Sequence, residues 1–168
     1  MSAMLVALVI IHTALSLIAI AVGVSVVADL LGSRVREGMT RLFLGTALLT
    51  SASGFLFPFT QLLPSHVIGS VALLVLAVTI PARYRYQLRG AWRWIYAGGA
   101  VTSLYLLVFV LIAQLFLKIP ALQAAAPTQS EPPFAATQAV AFAVFAAIGL
   151  LAARRFHPAP MAAGAAAG

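Results

Sequence analysis

The sequence contains no cysteine, and among its 168 residues only Asp29, Glu37 and Glu131 carry carboxylates. Without thiols there is no disulfide, thiolate metal site, iron–sulfur cluster or cysteine nucleophile, and the redox compartment is left unmarked. The acids lie far apart in the chain, so paired-carboxylate catalysis and all-carboxylate metal sites have no local source. Charge of either sign is scarce: 8% of residues are Asp, Glu, Lys or Arg, against about 25% in a soluble domain. So thin a charge cannot wet the surface of a globule. A 63% hydrophobic content arranged in long runs points to lipid as the solvent. The chain reads as an all-α, polytopic transmembrane helical bundle.

What charge there is leans one way, with ten Lys and Arg and a formal net charge of +7. A nucleic-acid interface would need those cations on one solvated patch. They sit instead in short clusters between apolar spans, which argues against a nucleic-acid partner and for a topological role.

A helix crosses hydrocarbon in roughly 20 residues. Five stretches meet that length, at about 4–28, 42–60, 65–82, 94–117 and 135–153. The first lacks a basic leader and a small-residue cleavage site and has too long an apolar run for a signal peptide, so it reads as an uncleaved span. Residues 1–156 then form one transmembrane domain, and the Ala-, Gly- and Pro-rich stretch 157–168 is expected to be a disordered cytoplasmic tail.

Arg34, Arg36 and Arg41 lie between spans one and two, Arg83, Arg85, Arg89 and Arg93 between three and four, and Arg154 and Arg155 after five. Nine of the ten basic residues therefore share one side, with Lys118 alone on the other. The positive-inside rule makes the nine-residue side cytoplasmic, with the N-terminus outside and the C-terminus inside. Tyr84, Tyr86, Trp92, Trp94 and Tyr96 crowd the same side, where amphipathic rings favour the headgroup zone. Phe55, Phe57 and Phe59 mark the opposite end of span two. Pro120 is expected to open an outer loop running through Pro127, Pro132 and Pro133. Ser33-Arg34-Val35-Arg36 and Ala82-Arg83-Tyr84-Arg85 echo one another; a duplicated hairpin would produce this, but two unrelated arginine-bearing loops are the preferred explanation.

Small residues mark where helix backbones approach in lipid. Ala135, Ala139, Ala143 and Ala147 predict a packing stripe on span five. His12, Ser16, Ala19 and Gly23 predict one on span one. Span two, slim on several sides from Gly45 to Gly54, is expected to be central. Gly98, Gly99 and Ser103 supply the small face of span four.

Ionisable groups inside spans are functional hypotheses by default, because lipid penalises them. His12 lies within span one and His66 opens span three, both towards the outer side. Gln114 and Lys118 approach that level from span four, and Gln61, Ser65 and Glu131 from loops. Together His12, Ser16, Gln61, His66, Gln114 and Lys118 outline a candidate outer-leaflet polar pocket. It would suit a quinone head group, and His12 with His66 would suit haem b or a metal ion if their depths matched. The same residues are equally accounted for as interfacial groups satisfied by water, with Lys118 reaching the headgroups. No Asp, Glu, Lys or Arg falls at mid-span, which disfavours a proton-coupled transporter. A small-solute channel built by oligomers stays open.

Leu63-Pro-Ser-His-Val-Ile-Gly69, Gly90-Ala-Trp-Arg-Trp-Ile-Tyr96 and Ala126-Pro-Thr-Gln-Ser-Glu-Pro-Pro-Phe134 resemble a group of small bacterial multi-pass inner-membrane proteins of unassigned function. That resemblance covers most of the chain outside the tail. It implies a bacterial inner membrane and supplies no activity or ligand. The early His12 also resembles histidine-bearing haem-b membrane domains, which need paired in-membrane histidines at matched depths. The resulting expectation is a non-enzymatic accessory or structural membrane component, alone, as a homo-oligomer or beside a membrane-protein partner. A redox or quinone module is the alternative.

Overall fold

The computed structural model describes residues 3–57 and 64–158, with the side chains of Pro64 and Ser65 outside that description. Six α-helices follow in order: α1 Ala3–Leu31, α2 Glu37–Ser53, α3 Pro64–Tyr84, α4 Trp92–Lys118, α5 Pro120–Ala125 and α6 Pro132–Arg155. A single 3-10 turn, Gly54–Leu56, continues α2. No strand occurs among the described residues. The helices α1, α4, α6 and His66–Tyr84 of α3 are each long and apolar enough to cross a membrane.

Helix ends depart from the apolar runs in a consistent way. α1 continues through Asp29 because its backbone ladder is indifferent to one charged side chain. It stops where Ser33 turns left-handed, at φ 54°, and Arg34 N–H donates back to the Asp29 carbonyl at 2.8 Å, the closure typical of a helix C-terminus. α2 begins at Glu37 rather than at Leu42, with its acid on the first turn, where the helix dipole favours it. α2 ends at Ser53, short of the expected boundary at 60, and Phe59 and Thr60 lie outside the described residues. The expected outer loop is only partly a loop. Pro120 starts the short α5, and Pro132 and Pro133 occupy the first turn of α6, where a missing N–H costs no hydrogen bond.

Neighbouring long helices run antiparallel. His12 of α1 meets Ser53 of α2, while Gly23 faces Phe43. Phe55 lies beside His66 at the start of α3, and Glu37 pairs with Arg83 near its end. Gly99 of α4 crosses α3 at Thr79. On the far side of α4, Phe116 packs on Phe134 and Tyr105 on Phe142 and Phe145 of α6. The α1–α2, α2–α3, α3–α4 and α4–α1 contacts close a four-helix ring, and α6 lies over the α1–α4 edge.

The hub of this arrangement is α4, not α2: it touches α1, α2, α3, α5 and α6. α2 does pack on two sides, against α1 and α3, but its Gly45 meets nothing and Leu42, Leu48 and Leu49 face outward. Small size permits close approach on several faces without requiring it. The alanine stripe of α6 is likewise corrected: Ala135, Ala139, Ala143 and Ala147 are all exposed. α6 turns Gln138, Phe145, Ile148 and Ala152 inward instead, a face with larger side chains and more area to bury. The α1 stripe falls as expected, with Ala19 and Gly23 buried and His12 and Ser16 half-buried.

Two further expectations change. Tyr96 is not an interfacial ring: it is 1% exposed, near Thr40 and Phe156. Phe156, one residue beyond α6, is also fully buried, and His157 N–H donates to Ser33 Oγ at 3.0 Å. The first residue of the expected tail is thus tied to the bundle, while 159–168 lie outside the described residues. The arginine echo is, as expected, one of sequence alone. Ser33–Arg36 is the irregular turn between α1 and α2, whereas Ala82–Tyr84 is the last turn of α3.

Candidate functional site

The antiparallel order gathers chemistry at two opposite ends, one marked by histidine and one by arginine. At the histidine end, His12 of α1 and His66 of α3 approach the same short stretch, Ser53–Phe57. His12 Nδ1 lies 2.9 Å from Ser53 Oγ, and its ring meets Phe57 edge-on at 5.2 Å between centroids. Ser53 Oγ also donates to the Thr50 carbonyl at 3.0 Å. A hydroxyl has one proton, so both contacts are satisfied together only when His12 Nδ1–H donates to Ser53. His12 is then the Nδ1–H tautomer, and its Nε2 carries a lone pair. That nitrogen accepts a hydrogen bond or ligates a metal; it does not donate. A quinol hydroxyl suits it better than a quinone carbonyl.

His66 is buried, with Phe55 tilted against it at 5.7 Å. Its backbone carbonyl accepts from Ser70 Oγ at 2.9 Å. Gly69 lets Phe55 lie close, since a Cβ there would stand 3.2 Å from the ring. The two imidazoles therefore reach one level from helices at opposite corners of the ring, with the end of α2 flanked by both.

The other residues of the sequence-derived pocket are dispersed. Ser16 lies one turn along α1 from His12, half-buried; Gln114 and Lys118 are exposed on α4. Gln61 lies outside the described residues. Glu131 is occupied locally, accepting from Thr128 Oγ1 at 2.9 Å and from the Ser130 backbone N–H at 3.1 Å. Desolvation acts to raise its pKa, but the hydrogen bonds from Thr128 and Ser130 outweigh it and hold the carboxyl below its ordinary value. Gln129 Nε2 fastens the same loop to the Ala113 carbonyl at 2.7 Å.

Buried polar groups in the interior carry a signal that the histidines had eclipsed. Gln138 of α6 donates to the Phe109 carbonyl of α4 at 3.1 Å, while its Oε1 is buried without a hydrogen-bond partner. Ser103 Oγ and Thr50 Oγ1 are in the same condition. A glutamine inside an alanine-rich apolar run was readable as an interhelical contact from its cost in lipid.

At the arginine end, α1 and α2 bring Asp29 and Glu37 against Arg36, Arg41 and Arg83. Arg36 Nε is 2.6 Å from Asp29 Oδ2, and Arg41 Nε is 2.8 Å from Glu37 Oε1. Arg83 Nη2 reaches the other oxygen of Glu37, joining α3 to α2. Arg83 is only 5% exposed, so this carboxylate supports a nearly buried cation. The hydrogen bond from Arg41 is the main cause holding Glu37 below its ordinary pKa; burial opposes it. The remaining arginines, Arg34, Arg85, Arg89, Arg93, Arg154 and Arg155, meet no carboxylate among the described residues. Several lie with aromatic rings: Arg93 over Trp94 at 5.1 Å and Arg85 over Tyr86 at 6.0 Å, with Tyr86 and Trp92 stacked at 3.7 Å.

Among the described residues no group of three or more His, Asp or Glu side chains stands close enough to hold a metal ion. Comparison of the chain with protein-family models, curated proteins and solved structures gave no match.

Proposed function

We propose that this chain is a five-span integral protein of a bacterial inner membrane, N-terminus outside and C-terminus in the cytoplasm. It serves there as a non-enzymatic accessory or structural component. One observation carries the reading: nine arginines gather at one end of an antiparallel bundle whose flanks are apolar. Leu74, Val140, Ile10 and Leu150 are all more than 60% exposed, an arrangement that water would penalise and hydrocarbon would not. α2 supports the fifth crossing. It runs antiparallel to α1 and α3, and with its 3-10 extension measures roughly 30 Å at standard helical rises, about the hydrocarbon thickness. The positive-inside rule supplies the direction.

Substituted-cysteine labelling tests the orientation without background, because the chain has no native thiol. A cysteine at Ser130 is labelled by an impermeant maleimide in intact cells, and one at Arg89 only after permeabilisation. The reverse pattern overturns the topology. For the role, gentle solubilisation should recover the protein in an assembly larger than itself. A monomer with turnover would overturn a non-enzymatic role.

A haem-b or quinone-binding module is the second reading. It draws on His12 and His66 standing against one stretch of α2, with the His12 Nε2 lone pair uncommitted by the Ser53 bond. A Soret band lost in His12→Ala would establish the haem version, and a featureless visible spectrum of the purified protein would remove it.

A further inference from the structure

The cations at the arginine end are neutralised unevenly. Both carboxylates there, Asp29 and Glu37, are spent on Arg36, Arg41 and Arg83. That sets two carboxylates against Arg34, Arg36, Arg41 and Arg83 on the α1–α2–α3 side and none against the cations of the α4–α6 corner. At that corner lies a shallow depression lined by Trp94, Ala153, Arg154 and His157. Trp94 is half exposed and forms an apolar wall with one N–H donor, and Arg93 lies against its ring. Arg154 is exposed, with no carboxylate against it among the described residues. His157 is held over the end of α6 from both sides. Phe156 is sunk into the core beneath it, and its own backbone N–H is bound to Ser33. Its Nδ1 lies 3.2 Å from the Arg155 carbonyl; a carbonyl only accepts, so Nδ1–H donates and the neutral ring leaves Nε2 as an acceptor, for a headgroup hydroxyl rather than for phosphate. The geometry is that of a fixed corner with a guanidinium, an imidazole and an indole converging beside an apolar flank.

We propose that this corner binds an acidic phospholipid, with Arg154 on the phosphate, His157 Nε2 accepting from a headgroup hydroxyl and Trp94 against the glycerol and upper acyl chains. A guanidinium pairs well with phosphate oxygens. An indole at that level suits the boundary between headgroup and chain. A free inorganic anion would use only the cations and leave the indole wall unexplained. The inference rests on the proposal that the arginine end faces a bilayer surface, and it adds a specific lipid class and position.

The test uses the full chain in dodecyl maltoside, with Trp92→Phe leaving Trp94 as the one tryptophan. Brominated phosphatidylglycerol and brominated phosphatidylcholine are titrated into the micelles, and Trp94 quenching is read. Phosphatidylglycerol should half-quench at about fivefold lower mole fraction, roughly the effect of one basic residue near an anionic surface. Arg154→Gln with His157→Gln should erase the preference, and Ala153→Leu should weaken it by filling the depression without changing charge. Equal quenching by the two lipids overturns the proposal. A preference that survives the double substitution but is lost in Arg85→Gln with Arg89→Gln overturns its position. Displacement by millimolar inorganic phosphate overturns the lipid in favour of a free anion. Cysteine labelling of the same variants in cells reports orientation separately, so a failure of topology is distinguishable from a failure of lipid selectivity.

Discussion

Replacing Gly99 by alanine is the sharpest probe of how α4 seats against α3. A Cβ at Gly99 would stand 2.0 Å from Thr79 Oγ1, 3.1 Å from Thr79 Cβ and 3.2 Å from Cγ2. Ordinary carbon contacts begin near 3.5 Å, so the methyl overlaps all three atoms of a residue that is 1% exposed. Turning Thr79 about χ1 moves Oγ1 away but breaks its 2.7 Å bond to the Val75 carbonyl, a loss of about 1 kcal/mol. It does nothing for Cβ, so the helices must also part by a few tenths of an ångström. Overpacking of this kind costs about 1–3 kcal/mol. The intrinsic helical gain of alanine over glycine returns up to about 1 kcal/mol. The net expectation is a destabilisation of about 1–3 kcal/mol, or several degrees in Tm for a chain of this size. Gly98 provides the control, because a Cβ there meets nothing within 4 Å; Gly98→Ala should be neutral or slightly stabilising. Thermal unfolding in detergent, followed by size-exclusion recovery, measures both. Thr79→Ala combined with Gly99→Ala should restore part of the loss, by removing Oγ1 and Cγ2 while Cβ stays, with a coupling energy of about 1 kcal/mol. Equal Tm values for Gly98→Ala and Gly99→Ala, or no rescue by Thr79→Ala, would refute this account of the crossing.

Other positions give independent tests. At Gly23 a Cβ would stand 2.7 Å from Phe43 and 2.8 Å from Leu104, so Gly23→Val should lower Tm further than Gly23→Ala, and a larger loss for alanine would contradict the packing. Ser33→Ala removes the donor to the Arg155 carbonyl and the acceptor of the His157 N–H; hydrogen exchange should show protection lost at His157 with the helix interiors unchanged. Glu37 holds its pKa below the ordinary 4.5 chiefly through Arg41, then Arg83. Its contribution is therefore present at neutral pH and lost as pH falls from 4.5 through the folded value. Glu37→Gln should lower Tm at pH 7 and flatten its dependence on pH in that acidic range; a variant as acid-sensitive as the parent would assign the effect elsewhere.

How much of this was legible depended on whether a feature is local or pairwise. The four longest helices and the clustering of arginines are local: each follows from an apolar run or a loop composition, and antiparallel order places the loops without further information. The His12–Gly23 face was legible for the same reason, because four small or polar positions at helical spacing leave one side of α1. The outward turn of Ala135, Ala139, Ala143 and Ala147 was not. Small size says that a backbone could approach, but the inward face of α6 was decided by Gln138 meeting Phe109 and by Phe145 meeting Tyr105. The Gln138 and Phe145 contacts are choices made by α4. The burial of Phe156 was hidden because the apolar run ended at two arginines. The site behaves likewise: the level of His12 and His66 could be bounded from span lengths, while the Ser53 hydroxyl that fixes the His12 tautomer comes from another helix.

The clasp formed by Ser33, Arg155 and His157 bears on the order of assembly. Ser33 lies in the turn between α1 and α2, and its partners Arg155 and His157 lie at and just beyond the end of α6, which is made later. Until α6 has been made, the left-handed turn at Ser33 lacks its two external hydrogen bonds and the pocket beside Tyr96 lacks Phe156. The α1–α2 hairpin is therefore completed by a segment made after α4. A ribosome stalled before Phe156 should leave α1–α4 formed but open at this corner, accessible to a protease that the finished protein excludes.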